Sequence, residues 1–332
     1  MRTALITGVS GQDGIHLARA LLAEGTRVVG LARSRSPREA RYLSSYPGFT
    51  FVACDLRDRA GVEAILDAHE PDEIYNLAAL SSVGRSWAEP EEAAAINGEA
   101  VAGLLDAVLA RAARGVGSGA GTPPRFVQAS SAEVGPGVAP GPSPYAQAKA
   151  RADRAVREAR ERHGLHASIA YLHNHESPLR STAFVTRKLT RHVAGLVEGF
   201  LDPELEPLTL GTLDVARDWG HAGDHVAALR LLQRADEPAD VEIGTGRLRT
   251  LRDVVGAAFA AGGIDDPWPL VDLDPGLGRP HDRAALVADP EPAARLLGWR
   301  ATRTMEQTMA AMVAVDRMRW TSGVEDDPAY LA

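Results

Sequence analysis

Tyr145 and Lys149, in the run Tyr145-Ala146-Gln147-Ala148-Lys149, are four residues apart and lie on one face of any helix that holds them. An ammonium beside a phenol favours the phenolate over its ordinary pKa of about 10. Such a phenolate takes a proton from a hydroxyl while a hydride leaves the same carbon. Alone, the spacing is frequent by chance. Here it follows Ser130-Ser131-Ala132-Glu133, which closes an apolar run. At strand spacing Ser131 and Glu133 share a face, so Ser131 is placed to hydrogen-bond the reacting hydroxyl. Glu133 is the informative residue. An epimerase or a ketoreductase needs only serine, tyrosine and lysine. A dehydratase must also remove a proton beside a new ketone and protonate a departing hydroxyl. Ser131, Glu133, Tyr145 and Lys149 are therefore the candidate catalytic set, the first three also touching substrate.

Hydride chemistry needs a carrier, and the amino-terminal end supplies its signature. Thr7-Gly8-Val9-Ser10-Gly11-Gln12-Asp13-Gly14 stands between an apolar strand pattern and a helix. Gly8 permits the tight turn, Gly11 lets the backbone approach a pyrophosphate, and Gly14 allows close helix–strand packing. Gln12 and Asp13 lie in the same turn. The end of the second strand selects the dinucleotide. NAD sites usually carry a carboxylate there, whereas this chain reads Gly30-Leu31-Ala32-Arg33-Ser34-Arg35-Ser36. Arg33 and Ser34 suit a 2′-phosphate through charge-assisted hydrogen bonds, so the expected cofactor is NADP. Asp55 and Leu56 follow the third strand toward the adenine. Leu77, Ala78, Ala79 and Ser81 follow the fourth toward the nicotinamide, and Tyr145 and Lys149 complete the cofactor set.

These residues need a scaffold that brings strand ends together. Strands are expected at Ala4–Thr7, Arg27–Leu31, Phe49–Ala53, Glu73–Leu77, Arg125–Ala129 and Ala167–Leu172. Helices are expected at Ile15–Ala23, Arg59–Ala68, Ala94–Ala113 and Pro144–His163. Strands apolar on both faces that alternate with helices imply an α/β fold, a Rossmann-type doubly wound parallel sheet. After Leu172 the alternation becomes irregular. Helices are expected at Thr182–Leu196, His221–Arg234 and Leu251–Ala261, strands near Pro207–Leu210 and at Asp240–Ile243, and a terminal stretch ending near Met318. The reading is a smaller, interleaved α/β substrate domain. The dinucleotide domain takes residues 1–172 plus about 213–245, the substrate domain about 173–212 plus 246–332.

The whole chain bounds the answer. It has 332 residues, a formal net charge of -8 and a single cysteine, Cys54. The negative charge opposes general nucleic-acid binding. One cysteine excludes an internal disulfide and a multi-cysteine zinc site, and no metal is expected. No signal-peptide pattern is read at the start and no window of transmembrane length, so the expectation is a cytoplasmic protein with no membrane partner.

Longer runs downstream carry a resemblance. Asn174-His175-Glu176-Ser177-Pro178-Leu179-Arg180, Phe184-Val185-Thr186-Arg187-Lys188-Leu189-Thr190-Arg191 and Leu210-Gly211-Thr212-Leu213-Asp214-Val215-Ala216-Arg217-Asp218-Trp219-Gly220-His221 closely resemble the GDP-mannose 4,6-dehydratases of the extended short-chain dehydrogenase/reductase superfamily. The resemblance extends over nearly the whole chain and is weakest in the last forty residues. It implies that Ser131 stands where the family usually has threonine, that His175 and Arg180 contact the cofactor, and that Asn174, Val185, Lys188, Arg217 and Arg279 surround the sugar nucleotide. It also implies a homodimer or homotetramer, pairing through the helices Ala94–Ala113 and Pro144–His163.

Several positions depart from the family. Its long segment between glutamate and tyrosine is cut to Val134–Pro142, its glutamine after the fourth strand is Leu80, and a nearby histidine is Ser82. An Arg-Pro-x-Glu motif reads Arg279-Pro280-His281-Asp282, and one arginine of a pair after the second strand is Ala32. The expected activity is that of an NADP-dependent lyase, a sugar-nucleotide 4,6-dehydratase with GDP-mannose favoured as substrate. The alternatives are a dehydratase or epimerase for another nucleotide sugar, a ketoreductase, and a non-catalytic NADP-binding homologue.

Overall fold

The computed structural model describes residues 1–115, 122–278 and 281–331. The strands, in chain order, are β1 (Thr3–Thr7), β2 (Arg27–Ala32), β3 (Phe49–Ala53), β4 (Glu73–Asn76), β5 (Arg125–Ser131), β6 (Ala167–Leu172), β7 (Asn174–Glu176), β8 (Leu208–Leu210), β9 (Ala216–His221), β10 (Asp240–Ile243), β11 (Leu248–Thr250), β12 (Val271–Leu273) and β13 (Ala285–Leu286). The α-helices are α1 (Gln12–Ala23), α2 (Pro37–Leu43), α3 (Arg59–His69), α4 (Val83–Ala88), α5 (Pro90–Ala94), α6 (Ala100–Ala113), α7 (Pro144–His163), α8 (Val185–Val197), α9 (Ala222–Arg234), α10 (Leu251–Ala261), α11 (Glu291–Leu297) and α12 (Met305–Ser322).

The chain divides into two compact units. The first takes Met1–Leu172, Val226–Ile243 and Glu291–Trp299. Its seven-stranded sheet runs β10-β6-β5-β4-β1-β2-β3, every pair parallel. This is the doubly wound α/β sheet that the alternation of strands and helices implies. β1 and β4, buried throughout, flank the point where strand order reverses. A cleft opens beyond the carboxyl ends of strands at such a switch point.

The second unit takes His173–His225, Gly244–Pro290 and the chain from Arg300 onward. In it β9 pairs with β7, β11 and β13, β8 pairs with β12, and α8, α10 and α12 pack around an apolar core. The boundaries differ from those expected. Leu213–His225 belongs to the second unit because β9, buried along its length, is the centre of that unit's sheet. The crossing falls inside α9, after His225. Glu291–Trp299 belongs to the first unit because α11 packs on β10.

α7 carries the candidate tyrosine and lysine, and its ends explain its bounds. Ser143 caps it, accepting from the Ala146 amide at 3.1 Å, and Pro144 occupies the first position. Gly164, at φ +66°, ends it. Pro90–Ala113 forms a continuous helix interrupted by a π-helical turn at Ala95–Glu99. Contrary to the expectation that no window reaches transmembrane length, this 24-residue helix is long and apolar enough. Its packing explains its composition: it lies against α7 and α3 as a core helix.

Candidate active site

The turn after β1 forms as its glycines require. Gly8 has φ +71°, and a Cβ there would lie 2.8 Å from the Ala78 nitrogen, so the ends of β1 and β4 meet backbone to backbone. A Cβ on Gly14 would lie 2.5 Å from the Gly8 carbonyl and 2.6 Å from the Val9 Cα. Gly11 precedes α1, and no side chain caps that helix, which leaves its first-turn amides for an anion. Gln12 and Asp13 occupy the first turn of α1.

A buried network fixes the facing loop, and sequence reasoning missed it. The Thr7 hydroxyl donates to Asn76 Oδ1 at 2.6 Å and accepts from the amides of Leu77 and Ala78, each at 3.1 Å. Asn76 Nδ2 donates to Gln128 Oε1 at 2.8 Å. Thr7, Asn76 and Gln128 are fully buried. Beyond Ala79, the π-helical turn presents Asn97, whose side chain bonds both the amide (2.8 Å) and the carbonyl (3.0 Å) of Leu80. Ser81, next along, is exposed.

At the ends of β2 and β3 lies an exposed charge cluster. Arg33 pairs with Glu92 at 3.2 Å, and Arg57 pairs with Glu92 at 2.8 Å and with Asp55 at 2.6 Å. The Arg57 hydrogen bonds hold the Asp55 carboxyl down at about 2. The Arg33 side chain remains 61% exposed, and an ion pair that open is worth little. It is free to exchange Glu92 for a phosphate.

The candidate catalytic residues all lie in the first unit. Tyr145 and Lys149 are buried on α7, with Lys149 Nζ 6.0 Å from the Tyr145 ring centroid. The Tyr145 amide donates to Ser86 Oγ at 3.2 Å, and Ser86 donates to the Val83 carbonyl. Lys149 Nζ donates to the Ala129 carbonyl of β5 at 2.8 Å. Burial lowers the Lys149 ammonium to about 8, with Asp153 opposing the shift. One expectation needs correction: Glu133 does not share a strand face with Ser131. β5 ends at Ser131, and Ala132–Val134 forms a 3-10 turn capped by Ser131, whose Oγ accepts from the Glu133 amide at 3.2 Å. The turn, rather than strand alternation, sets Glu133 beside the serine.

The second unit has its own pocket, of about 260 Å³, which gathers Asn174, Val185, Lys188 and Arg217 with Thr209 and Asp282. Lys188 Nζ donates to the Thr209 carbonyl at 2.8 Å. Arg217 is buried; it meets Asp282 at 2.5 Å and the Ala216 and Arg283 carbonyls at 2.8 Å. Asp282, which stands where the Arg-Pro-x-Glu motif has its glutamate, is thus the counter-ion of Arg217. Arg279 lies outside the described residues. His175 stacks on His225 with ring centroids 4.4 Å apart, and Arg180 pairs with the buried Glu176 while lying 3.6 Å from the Phe184 ring centroid. Among the described residues no cluster of histidine, cysteine and carboxylates is arranged to hold a metal.

Residues 5–312 match the family profile described as GDP-mannose 4,6 dehydratase. The chain belongs to that family. A GDP-mannose 4,6-dehydratase of Yersinia enterocolitica is 35% identical, the match covering 95% of this chain and 94% of the relative. A UDP-glucose 4-epimerase of Thermus thermophilus, solved with NAD, superposes with a TM-score of 0.77 at 25% identity, covering 95% of this chain and 99% of that one. The Pseudomonas aeruginosa protein RMD, solved with NADPH, shares the fold at a TM-score of 0.75 and 21% identity, covering 96% of this chain and 98% of that one.

One feature of the sequence sets two candidate site residues apart without any alignment. Of 36 lysine and arginine residues, only Lys149 and Lys188 are lysines. Elsewhere the chain uses arginine, a planar fork that stays charged in proteins; lysine is a compact ammonium whose proton can be displaced by burial. Both lysines of this family member occupy candidate site positions.

Proposed function

We propose that this protein is an NADP-dependent 4,6-dehydratase of a nucleoside-diphosphate sugar, with GDP-mannose as substrate. The observation that carries the reading is Glu133, held by its own amide to Ser131 in the unit that also carries Tyr145 and Lys149. Epimerisation leaves such an acid/base without a task, and elimination requires one.

The residues fit the cofactor. The glycine turn and the uncapped start of α1 would hold its pyrophosphate, Arg33 and Ser34 its 2′-phosphate, and the loop after β4 its nicotinamide side. The family resemblance assigns His175 and Arg180 to the cofactor as well. Bound NADP+ would supply the hydride chemistry, acceptance from sugar C4 and return to C6, with no net consumption. Tyr145 takes the C4 hydroxyl proton, and Lys149 supports the phenolate with its positive charge. Ser131 holds that hydroxyl in place. Glu133 removes the C5 proton made acidic by the C4 ketone and gives it to the hydroxyl departing from C6, which leaves as water; when hydride reaches C6, C5 regains a proton, and the one Tyr145 took from the C4 hydroxyl balances it. Lys188 and Arg217, with Asn174, Val185 and Arg279, bind the nucleotide diphosphate. The reaction class is a hydro-lyase, carried out in the cytoplasm by a homo-oligomer.

The test is incubation of the purified protein with GDP-mannose and trace NADP+, followed by mass spectrometry. Loss of one water with no net NADPH change is the expected result. Dehydration of a different nucleotide sugar alone would place the specificity in the short Gly135–Ser143 loop and overturn the GDP-mannose assignment.

A further inference from the structure

Three successive turns of α7 present Tyr145, Lys149 and Asp153, four residues apart and all buried. The third is a carboxylate for which the catalytic scheme has no use. The Ser130 hydroxyl donates to its Oδ2 at 2.7 Å, while its Oδ1 has no hydrogen-bond partner. The neighbouring residue of β5, Ala129, accepts from Lys149 at 2.8 Å. One end of β5 therefore anchors both the ammonium and the carboxylate. Were Asp153 only an acceptor for Ser130, an uncharged amide would serve without the cost of burying a charge.

The other groups around Asp153 are committed elsewhere. Arg157, one further turn along α7, pairs with Asp240 of β10 at 3.0 Å and hydrogen-bonds Tyr171 of β6. On the side of α7 turned to the helix Pro90–Ala113, Arg151 pairs with Glu99 at 3.7 Å. Lys149 is left as the buried cation whose nearest compensating charge is Asp153. No direct bond joins them, so the interaction acts through space, where a poorly polarisable interior keeps it strong.

We propose that Asp153 is a positioning residue for Lys149, its buried carboxylate keeping the ammonium charged for Tyr145. This rests on the reading that Lys149 assists Tyr145. Burial alone drives both groups toward neutrality, Lys149 down to about 8 and Asp153 up to about 6. Between those values each keeps its charge with the help of the other.

The two-lysine composition makes the test direct. Protein labelled with 13C-lysine gives side-chain signals from Lys149 and Lys188 alone, and their shifts are followed against pH without any need for turnover. Asp153→Asn preserves shape and the acceptor for Ser130. Asp153→Ser serves as a second neutral variant should the first fail to fold, and Asp153→Glu restores the charge. In either neutral variant the Lys149 midpoint moves down by about one pH unit or more, Lys188 stays in place, and Asp153→Glu moves the midpoint back. The alkaline limb of kcat for GDP-mannose dehydration shifts with it. A purely structural role would lower kcat at every pH and leave the midpoint where it was. A Lys149 midpoint within about 0.3 pH unit of the parent in a folded neutral variant overturns the proposal. A shifted midpoint with an unmoved alkaline limb instead overturns the pairing of Lys149 with Tyr145.

Discussion

Thr7→Val tests the reasoning about the dinucleotide turn most sharply, because it removes one oxygen and almost nothing else. Valine has the volume of threonine and suits a strand. Three hydrogen bonds end on Thr7 Oγ1: one to Asn76 at 2.6 Å and two from the Leu77 and Ala78 amides at 3.1 Å. Asn76 is fully buried, so its oxygen loses its donor where water cannot replace it, at a cost of about 1–3 kcal/mol. Leu77 and Ala78 are only half-buried, and the loss of each amide's hydrogen bond is worth about 0.5–1 kcal/mol. The sum is about 2–5 kcal/mol, a large share of an ordinary folding free energy. Urea unfolding of parent, Thr7→Val and Thr7→Ser measures it, the serine variant retaining the oxygen and most of the stability. Calorimetric titration with NADP+ measures the second consequence, a Kd raised about tenfold once the facing loop loses its anchor. A valine variant within about 0.5 kcal/mol of the parent would refute the network as a stabilising element. Lost stability with an unchanged Kd would refute its part in the cofactor site.

Glu133→Gln should lower kcat by about 100- to 10,000-fold, the usual worth of a positioned acid/base. Stopped-flow absorbance should still show transient nicotinamide reduction by GDP-mannose, and its absence would mean that Glu133 serves the first step instead. Arg33→Ser should raise the Kd for NADP+ about tenfold and leave that for NAD+ nearly unchanged; equal effects on both would remove Arg33 from the 2′-phosphate site. His221 is buried, and its Nδ1 accepts from the Gly223 amide and faces the Arg303 guanidinium, each at 3.0 Å. Burial, and then Arg303, lower it to about 4. Because the unfolded chain binds that proton near pH 6.5, the contribution is complete above about 6.5 and fades as pH falls toward 4, by ~3 kcal/mol in all. His221→Asn should flatten the fall in unfolding free energy between pH 7 and 4, and an unaltered slope would contradict this.

What the sequence made legible follows from how each element is stabilised. β6, α7, β10 and α10 have the bounds expected of them, because each is bracketed by local turn and cap residues and shows a clear apolar period. β9 was read only as part of a family-like run. Its sequence, Ala-Arg-Asp-Trp-Gly-His, looks like a surface segment, yet all six residues are buried. Asp218 is satisfied there by the amides of Thr245 and Gly246 and the Thr245 hydroxyl, all from a distant stretch of chain. No local pattern records such long-range compensation. The same holds for Thr7, Asn76 and Gln128, and for the π-helical turn in an alanine-rich helix, which is tied to the far side of the Leu80 peptide. Tyr145 and Lys149 were singled out because their spacing is itself helical, and both lie on α7. Asp153 continues that spacing and was passed over because a carboxylate on a charged helix reads as solvated.

The two-lysine composition also decides what amine chemistry the folded protein can undergo. Lys149 is buried and Lys188 is exposed beside the second unit's pocket. Apart from the chain's amino terminus, any amine crosslinker or lysine-modifying enzyme that meets the native surface has Lys188 as its one side-chain amine. The 34 arginines give solubility and ion pairing without offering a nucleophile. Lysine acylation of this enzyme would therefore be confined to a single position, and that position lines the candidate substrate pocket.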